Sequence, residues 1–145
     1  MEAIKLLEKY PLSTEVVRES FIQKMIESVK GDTTVPEDFK NFMIEQGIPN
    51  DRLCIFIDSN PRGLFDVFDE NDIIVIIKHH ENFGFTWAVE EKDEQSFYKT
   101  RKEAETFAIE AAFEILEEKL GEERMTIIAQ NGNTGEHYEE TSENN

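Results

Sequence analysis

The sequence predicts an α+β fold: N-terminal helices, then an antiparallel β-meander of three to five strands, then a long C-terminal helix packed on the sheet. Apolar residues recur at helical spacing over residues 1–50. They form runs of strand length between turn residues over 53–99, and they return to helical spacing over 101–120. We therefore expect residues 1–130 to form a single domain, and we expect the polar, acidic segment 131–145 to be a disordered tail.

Two helices open the chain. The first covers residues 2–9 and ends before Pro11, which lacks a backbone donor and restricts the residue before it. The second begins at Ser13 or Thr14, whose side chains can cap exposed amides, and it ends at Gly31. Its apolar residues form one broad face: Val17, Phe21, Ile22, Met25, Ile26 and Val29.

A third helix has signals at both ends. Thr34 and Glu37 have the spacing of a capping box, and Pro36 between them suits the first helical turn. Gly47 then supplies a residue that tolerates the left-handed conformation common at helix ends. The apolar side chains that share one face of this helix are Phe39, Phe42 and Met43.

The middle of the chain predicts a meander, because apolar runs alternate with short turn clusters such as residues 59–63. The run 73–77 is β-branched on both faces, which predicts the most buried strand. The connections are too short for crossover helices, so we expect antiparallel pairing. The predicted strands are 53–57, 64–68, 73–77, 83–89, a short one at Phe97 and Tyr98, and a last edge strand at 125–129.

The long helix has the strongest signals. Thr100 and Glu103 form a second capping box, and Gly121 is the expected stop. Its acidic residues fall on one narrow stripe: Glu103, Glu110, Glu114 and Glu117. Because the rest of its circumference is largely apolar, the helix must be covered on more than one side. The sheet can cover one side, and either the N-terminal helices or a second subunit must cover another.

Charge narrows the classes of partner. The chain carries 15 Lys and Arg against 32 Asp and Glu, a net charge of −17. Nucleic acids and anionic membranes are bound through clustered cations, and the sequence has no such cluster, so we expect neither partner. A single cysteine, Cys54, excludes an internal disulfide. The sequence contains neither a bilayer-spanning run nor a signal peptide, so we expect a cytoplasmic protein.

Segment 99–112 resembles the closing helix of the double-stranded-RNA-binding domain, both in its basic start and in its alanine pattern. In that family the basic start of this helix contacts phosphate, and a helix, three strands and a helix follow in order. The resemblance covers this one segment. The predicted strand loops have none of the family's basic contacts, so the resemblance assigns no binding residues.

Metal and catalytic motifs give no assignment. Residues 58–63 begin like an EF-hand calcium loop, but Arg62 stands at a ligand position and no flanking helices are predicted. His79 and His80 are neighbours on or beside a strand, so their side chains point to opposite faces and cannot share one ion. We therefore assign no catalytic, cofactor-binding or metal-binding residues.

Three functional hypotheses remain. The first is a non-enzymatic accessory or protein-interaction protein, with self-association across the long helix as one form. The second is an acidic decoy that occupies a basic or DNA-binding surface of another protein. The third is a small enzyme or ligand-binding protein with a pocket between the sheet and the N-terminal helices. For that pocket the candidate polar residues are Asp58, Asp66, His79 and His80.

Overall fold

Helices and strands follow one another in three blocks along the chain: helices first, then a small sheet, then one long helix. This computed structural model describes residues 2–93 and 96–139, and for 132–139 it describes the backbone alone. In chain order the elements are α1 (Ala3–Lys9), α2 (Pro11–Val29), α3 (Glu37–Gln46), α4 (Asn50–Ser59), α5 (Gly63–Glu70), β1 (Val75–His80), β2 (Gly84–Val89), β3 (Lys92–Asp93) and α6 (Arg101–Glu139).

The predicted α+β class is confirmed. The sheet has strand order β1-β2-β3 with antiparallel neighbours, and α6 packs on one face of β1 and β2. The expected short strand near Phe97 contributes a single bridge, between Phe85 and Tyr98. The largest fully buried side chains come from the helices before the sheet, from the sheet region and from α6: Phe68, Phe113, Leu7, Leu53, Ile57, Leu64, Ile73, Ile109, Leu116, Val17, Val67 and Val89.

Two predicted strands are wrong, because residues 53–57 and 64–68 lie in helices α4 and α5. A short apolar run fits a buried strand and a buried helical turn equally well. The spacing of the buried residues decides between them. Leu53 and Ile57 are four positions apart and fully buried, while Ile55 between them is exposed. In a strand, those three residues would share one face.

The predicted end of the long helix is also wrong. Gly121 and the supposed edge strand 125–129 both lie inside α6. Glycine ends a helix where the backbone turns left-handed, and Gly121 does not adopt a positive φ. The backbone of α6 continues to Glu139, and residues 140–145 of the expected tail lie outside the described residues. From residue 122 to 131 the helix is exposed all round.

Capping is predicted correctly at one helix and wrongly at two. Thr100 Oγ1 accepts a hydrogen bond from the Glu103 amide at 3.1 Å, and a Glu103 carboxylate oxygen accepts one from the Thr100 amide at 3.1 Å. The reciprocal pair confirms the capping box of α6. The proposed box at Thr34 does not form, because that residue bonds to Asp32. Helix α2 starts at Pro11, two residues before its expected cap.

The acidic stripe of α6 is a seam between elements rather than a solvent-facing edge. The Glu117 carboxylate accepts hydrogen bonds from the amides of Leu12 (3.2 Å) and Ser13 (2.8 Å) in the first turn of α2. The Ser13 hydroxyl donates in turn to the carbonyl of Phe113, 3.0 Å away in a buried contact. A carboxylate at a helix N-terminus satisfies free amides and complements the helix dipole, so Glu117 fixes α2 against α6.

The same stripe holds two further elements. Glu110 accepts from Lys9 Nζ at 3.0 Å and from the Tyr10 hydroxyl at 3.3 Å, which ties down the α1–α2 junction. Glu114 pairs with Lys92 of β3 at 2.9 Å. Helices α2 and α5 thus pack on the second side of α6 within one chain. The burial of residues 101–120 therefore calls for no second subunit.

Replacing Glu117 with alanine is predicted to lower the free energy of unfolding by about 1–3 kcal/mol, because two amides of α2 lose a charged acceptor. Chemical denaturation measures this difference. Glu118→Ala is the matched control, since the Glu118 side chain is exposed one position further along α6, and it should change stability by less than about 0.5 kcal/mol. Equal losses for the two variants would contradict the seam.

Glycine is required at residue 84. Its φ is +112°, and a β-carbon there would lie 2.3 Å from the carbonyl oxygen of Tyr98. That oxygen accepts a hydrogen bond from the backbone amide of Phe85. Gly84→Ala is therefore predicted to destabilise the fold by about 1–3 kcal/mol. Gly121→Ala is the control, because this residue is helical and a β-carbon added to it would meet nothing within 4 Å. That change should raise the free energy of unfolding by up to about 1 kcal/mol, measured by urea denaturation. If Gly121→Ala instead destabilised the protein as much as Gly84→Ala, the requirement for glycine at residue 84 would be contradicted.

Alkaline pH should weaken the contacts of the stripe. The hydrogen bond to Glu114 raises the pKa of Lys92, and burial raises the pKa of Tyr10. Raised pKa values mean that the folded state holds these protons more tightly than the unfolded state. Their stabilisation is therefore complete below about pH 10 and is lost as pH rises through the folded pKa values. We predict that Tm falls above about pH 10, and that it falls less in Tyr10→Phe. Identical pH profiles of Tm for the two proteins would contradict the role of Tyr10.

Candidate interaction surface

The sheet has one covered face and one open face. Val75, Ile77, Trp87 and Val89 point toward α6 and pack against the core. Because side chains alternate along a strand, the residues between them point the other way. Within the described part of the chain, no helix makes an extended contact with that second face. We call it the outer face, and its strand residues are Ile76, Lys78, His80, Thr86 and Ala88.

Large apolar side chains lie exposed on and beside the outer face. Ile74 is 55% exposed and Ile76 46% exposed at one end. Phe83 is 68% exposed and Phe97 49% exposed at the other. Single exposed apolar residues are ordinary on protein surfaces, whereas several on and beside one sheet face form an apolar patch.

An aromatic corner gives this face a defined shape. The Phe97 ring lies 5.5 Å from the Phe83 ring and meets the His80 ring edge-on at 5.2 Å. His80 Nε2 lies 2.8 Å from Thr86 Oγ1, which fixes the imidazole across the two strands. A shallow depression of about 250 Å³ lies between these side chains and Asp93. The corner is thus ordered by contacts within the face itself.

The outer face is unusual for this protein in its charge. None of its β1 and β2 side chains is a carboxylate, although the chain carries 32 Asp and Glu. Lys78 is the cation among them. Carboxylates stand instead at its margins: Asp72 before β1, Glu81 after it, and Asp93 on β3. The face is therefore an apolar area with an acidic rim.

The outer strand of the sheet, β1, has a free edge. Phe85 exchanges both backbone hydrogen bonds with Tyr98, at 2.8 Å each, so it cannot bond to His79 opposite it on β1. In an antiparallel ladder the bonded pairs alternate, which directs the backbone groups of Val75, Ile77 and His79 away from β2. Among the described residues, no backbone or side-chain group bonds to them there.

An acidic cleft adjoins the start of this edge. It lies between the α5–β1 turn and the exposed part of α6, and its volume is about 670 Å³. Lys119 is the cation among its lining residues, and its Nζ lies 3.9 Å from a Glu90 carboxylate oxygen. The residues that line the cleft are Asn71, Asp72, Lys119, Glu122, Glu123, Thr126 and Ile127.

The four residues named for a ligand pocket do not converge. His79 lies on the covered side of β1, with its ring 4.9 Å from Phe85, and His80 lies on the outer face. Asp58 is exposed near the end of α4. Asp66 lines a crevice between α2 and the α4–α5 corner, with apolar walls from Phe21, Met25 and Phe56. This crevice lies among helices rather than between helices and sheet.

The geometry of the described side chains gives little support for metal binding or for a reactive thiol. Within residues 2–93 and 96–139, no three His, Cys, Asp or Glu side chains come together in a group that could hold a metal ion. Burial, with Asp58 nearby, raises the pKa of Cys54. A thiol with a raised pKa is a poor nucleophile, because the thiolate is the reactive form.

Comparison of the chain with protein-family models, curated proteins and solved structures finds no match. In the part of the chain that the structure describes, none of the helices is both long enough and apolar enough to cross a membrane.

The sequence missed this surface for a specific reason. The alternation of 83–89 predicts one aromatic face under the long helix, and Phe85 and Trp87 do lie there. Phe83 instead belongs to the β1–β2 turn and meets Phe97 on the outer side. The run of isoleucines before Lys78 predicts the most buried strand, and this prediction is wrong: Ile74 and Ile76 are about half exposed, because α6 packs on the opposite face of the sheet.

Proposed function

We propose that this is a non-enzymatic protein-interaction protein whose contact surface is the outer face of the sheet. The observation that carries the proposal is the placement of Ile74, Ile76, Phe83 and Phe97 on or beside an open sheet face whose β1 and β2 side chains include no carboxylate, in a chain with a net charge of −17. Water is excluded from such a face when a partner covers it, and the gain grows with the apolar area buried.

A protein partner suits this face better than a nucleic acid. The rings of Phe83 and Phe97 could stack on bases, but such platforms are surrounded by cations that neutralise phosphate. Here the margin carries Asp72, Glu81 and Asp93. The cytoplasm is the compartment we propose, on the support of a single cysteine, half-buried and with a raised pKa.

The other two hypotheses have less support. A decoy of DNA needs rows of free carboxylates, and Glu110, Glu114 and Glu117 are engaged within the fold. A small-molecule pocket needs converging polar groups, and the helix crevice brings in one of the four candidates, Asp66. Self-association through residues 101–120 of α6 loses its main argument, since α2 and α5 of the same chain already pack on that helix.

The proposal predicts selective peptide capture. Wild-type protein is panned against a phage library of random dodecapeptides, and Ile76→Asp is used for counter-selection. Enriched peptides should bind the wild type at least about tenfold more tightly than the variant in isothermal titration, because a carboxylate at residue 76 must be desolvated in the complex.

Ile55→Asp is the matched control, since Ile55 is also an exposed isoleucine and lies on α4 rather than on the sheet. It should bind the selected peptides as the wild type does. Thermal unfolding confirms that both variants are folded. Peptides that bind Ile76→Asp undiminished, or a selection that enriches none, would contradict the outer face as the contact surface.

A further inference from the structure

We propose that β1 takes up an extended, basic segment of a partner protein as a fourth, antiparallel strand, with the basic C-terminal end of that segment in the acidic cleft. The inference rests on the proposed function and gives it a binding mode and a partner class. Three observations carry it: the free edge of β1, the acidic cleft at its start, and the apolar outer face beside it.

The edge of β1 has the features of a strand-addition site. It is six residues long and offers the amides and carbonyls of Val75, Ile77 and His79. Natural edges are usually protected by short strands, prolines, bulges or several charges. The register of β1 against β2 is unbroken, and the strand has no proline and one lysine. Backbone bonds to such an edge provide affinity with little dependence on sequence.

The opposite edge of the sheet is protected. Strand β3 has two residues, and Lys92 is tied to Glu114 of α6 at 2.9 Å. Tyr98 then occupies the position beside Phe85. Within the described residues, β1 is therefore the edge with room for a new strand.

Charge determines which segment fits. A strand antiparallel to β1 runs its C-terminal end toward Val75 and the acidic cleft just before it. Asp72, Glu122 and Glu123 line that cleft, and the lysine that lines it lies near Glu90. Lysine or arginine at the C-terminal end of the segment would meet three carboxylates at short range. Side chains of the segment that point to the same side as the outer face would extend the apolar surface formed by Ile74 and Ile76.

A second copy of the chain fits the same edge poorly. Antiparallel pairing of two β1 strands brings the Asp72 end of one copy against the Glu81 end of the other. Every margin charge then meets a charge of the same sign, between two chains that each carry −17. The charges therefore favour a basic partner over self-pairing.

The test uses synthetic peptides and fluorescence anisotropy. The probe alternates valine and threonine and ends in two C-terminal arginines, and the matched peptide carries two glutamates instead. The arginine peptide should bind at least about tenfold more tightly, and this preference should shrink in the double variant Glu122→Gln, Glu123→Gln. Glu118→Gln, an exposed position one turn earlier on α6, should leave the preference unchanged.

Backbone methylation separates strand addition from binding on the face. Two versions of the probe are compared, one methylated at the odd-numbered amides and one at the even-numbered amides. Binding should be abolished in one version and preserved in the other, since only one of these two sets of amides points at β1. His79→Pro removes an edge donor without breaking a bond to β2 and should weaken binding at least about tenfold. Should that variant unfold, the methylated peptides still decide.

Several results would overturn the inference. Equal affinity for the arginine and glutamate peptides would remove the basic partner class. Equal binding of the two methylated series would show contact through side chains on the face, and no binding by any peptide would remove strand addition. In both cases the phage selection tests the proposed function separately. A dimer in sedimentation that the peptide fails to dissociate would assign the edge to a second copy.

Discussion

The fold depends on the burial of one helix, α6, and on the carboxylates that position its neighbours. It packs against the sheet on one side and against α2 and α5 on another, and most of its apolar side chains up to Leu116 are buried. Between those two contacts runs a line of glutamates, which hold the α1–α2 junction, the first turn of α2 and strand β3. Hydrophobic burial supplies most of the stabilisation, while these directed contacts determine where each neighbour lies.

The same arrangement explains why a sheet face stays open. Five helices precede the sheet, and among them α2 and α5 pack on α6 rather than on the sheet. Within residues 2–93 and 96–139, the three strands therefore have a helix packed on one face alone, although Ile74 and Ile76 would suit a covered position. The edge strand β1 thus borders the open face, and Asp72 of the acidic cleft lies three positions before its first residue.

The sequence predicted what depends on long patterns and missed what depends on short ones. The capping box at Thr100 and the twenty-residue periodicity of 101–120 identified α6 correctly. Five-residue apolar runs do not separate a strand from a helical turn, so α4 and α5 were assigned wrongly. Predicting the open outer face would require knowing which sheet face α6 covers. Predicting the role of Glu117 would require knowing a contact between residues more than a hundred positions apart. Neither follows from local spacing.

Amide hydrogen exchange in the isolated protein, followed by NMR, tests the central claim that β1 has a free edge beside an open face. The account predicts slow exchange at Ile76 and Lys78, whose amides point to β2, and fast exchange at Val75, Ile77 and His79. Uniform protection along β1 would contradict it, because a partner strand from another copy or another part of the chain would then already occupy the edge.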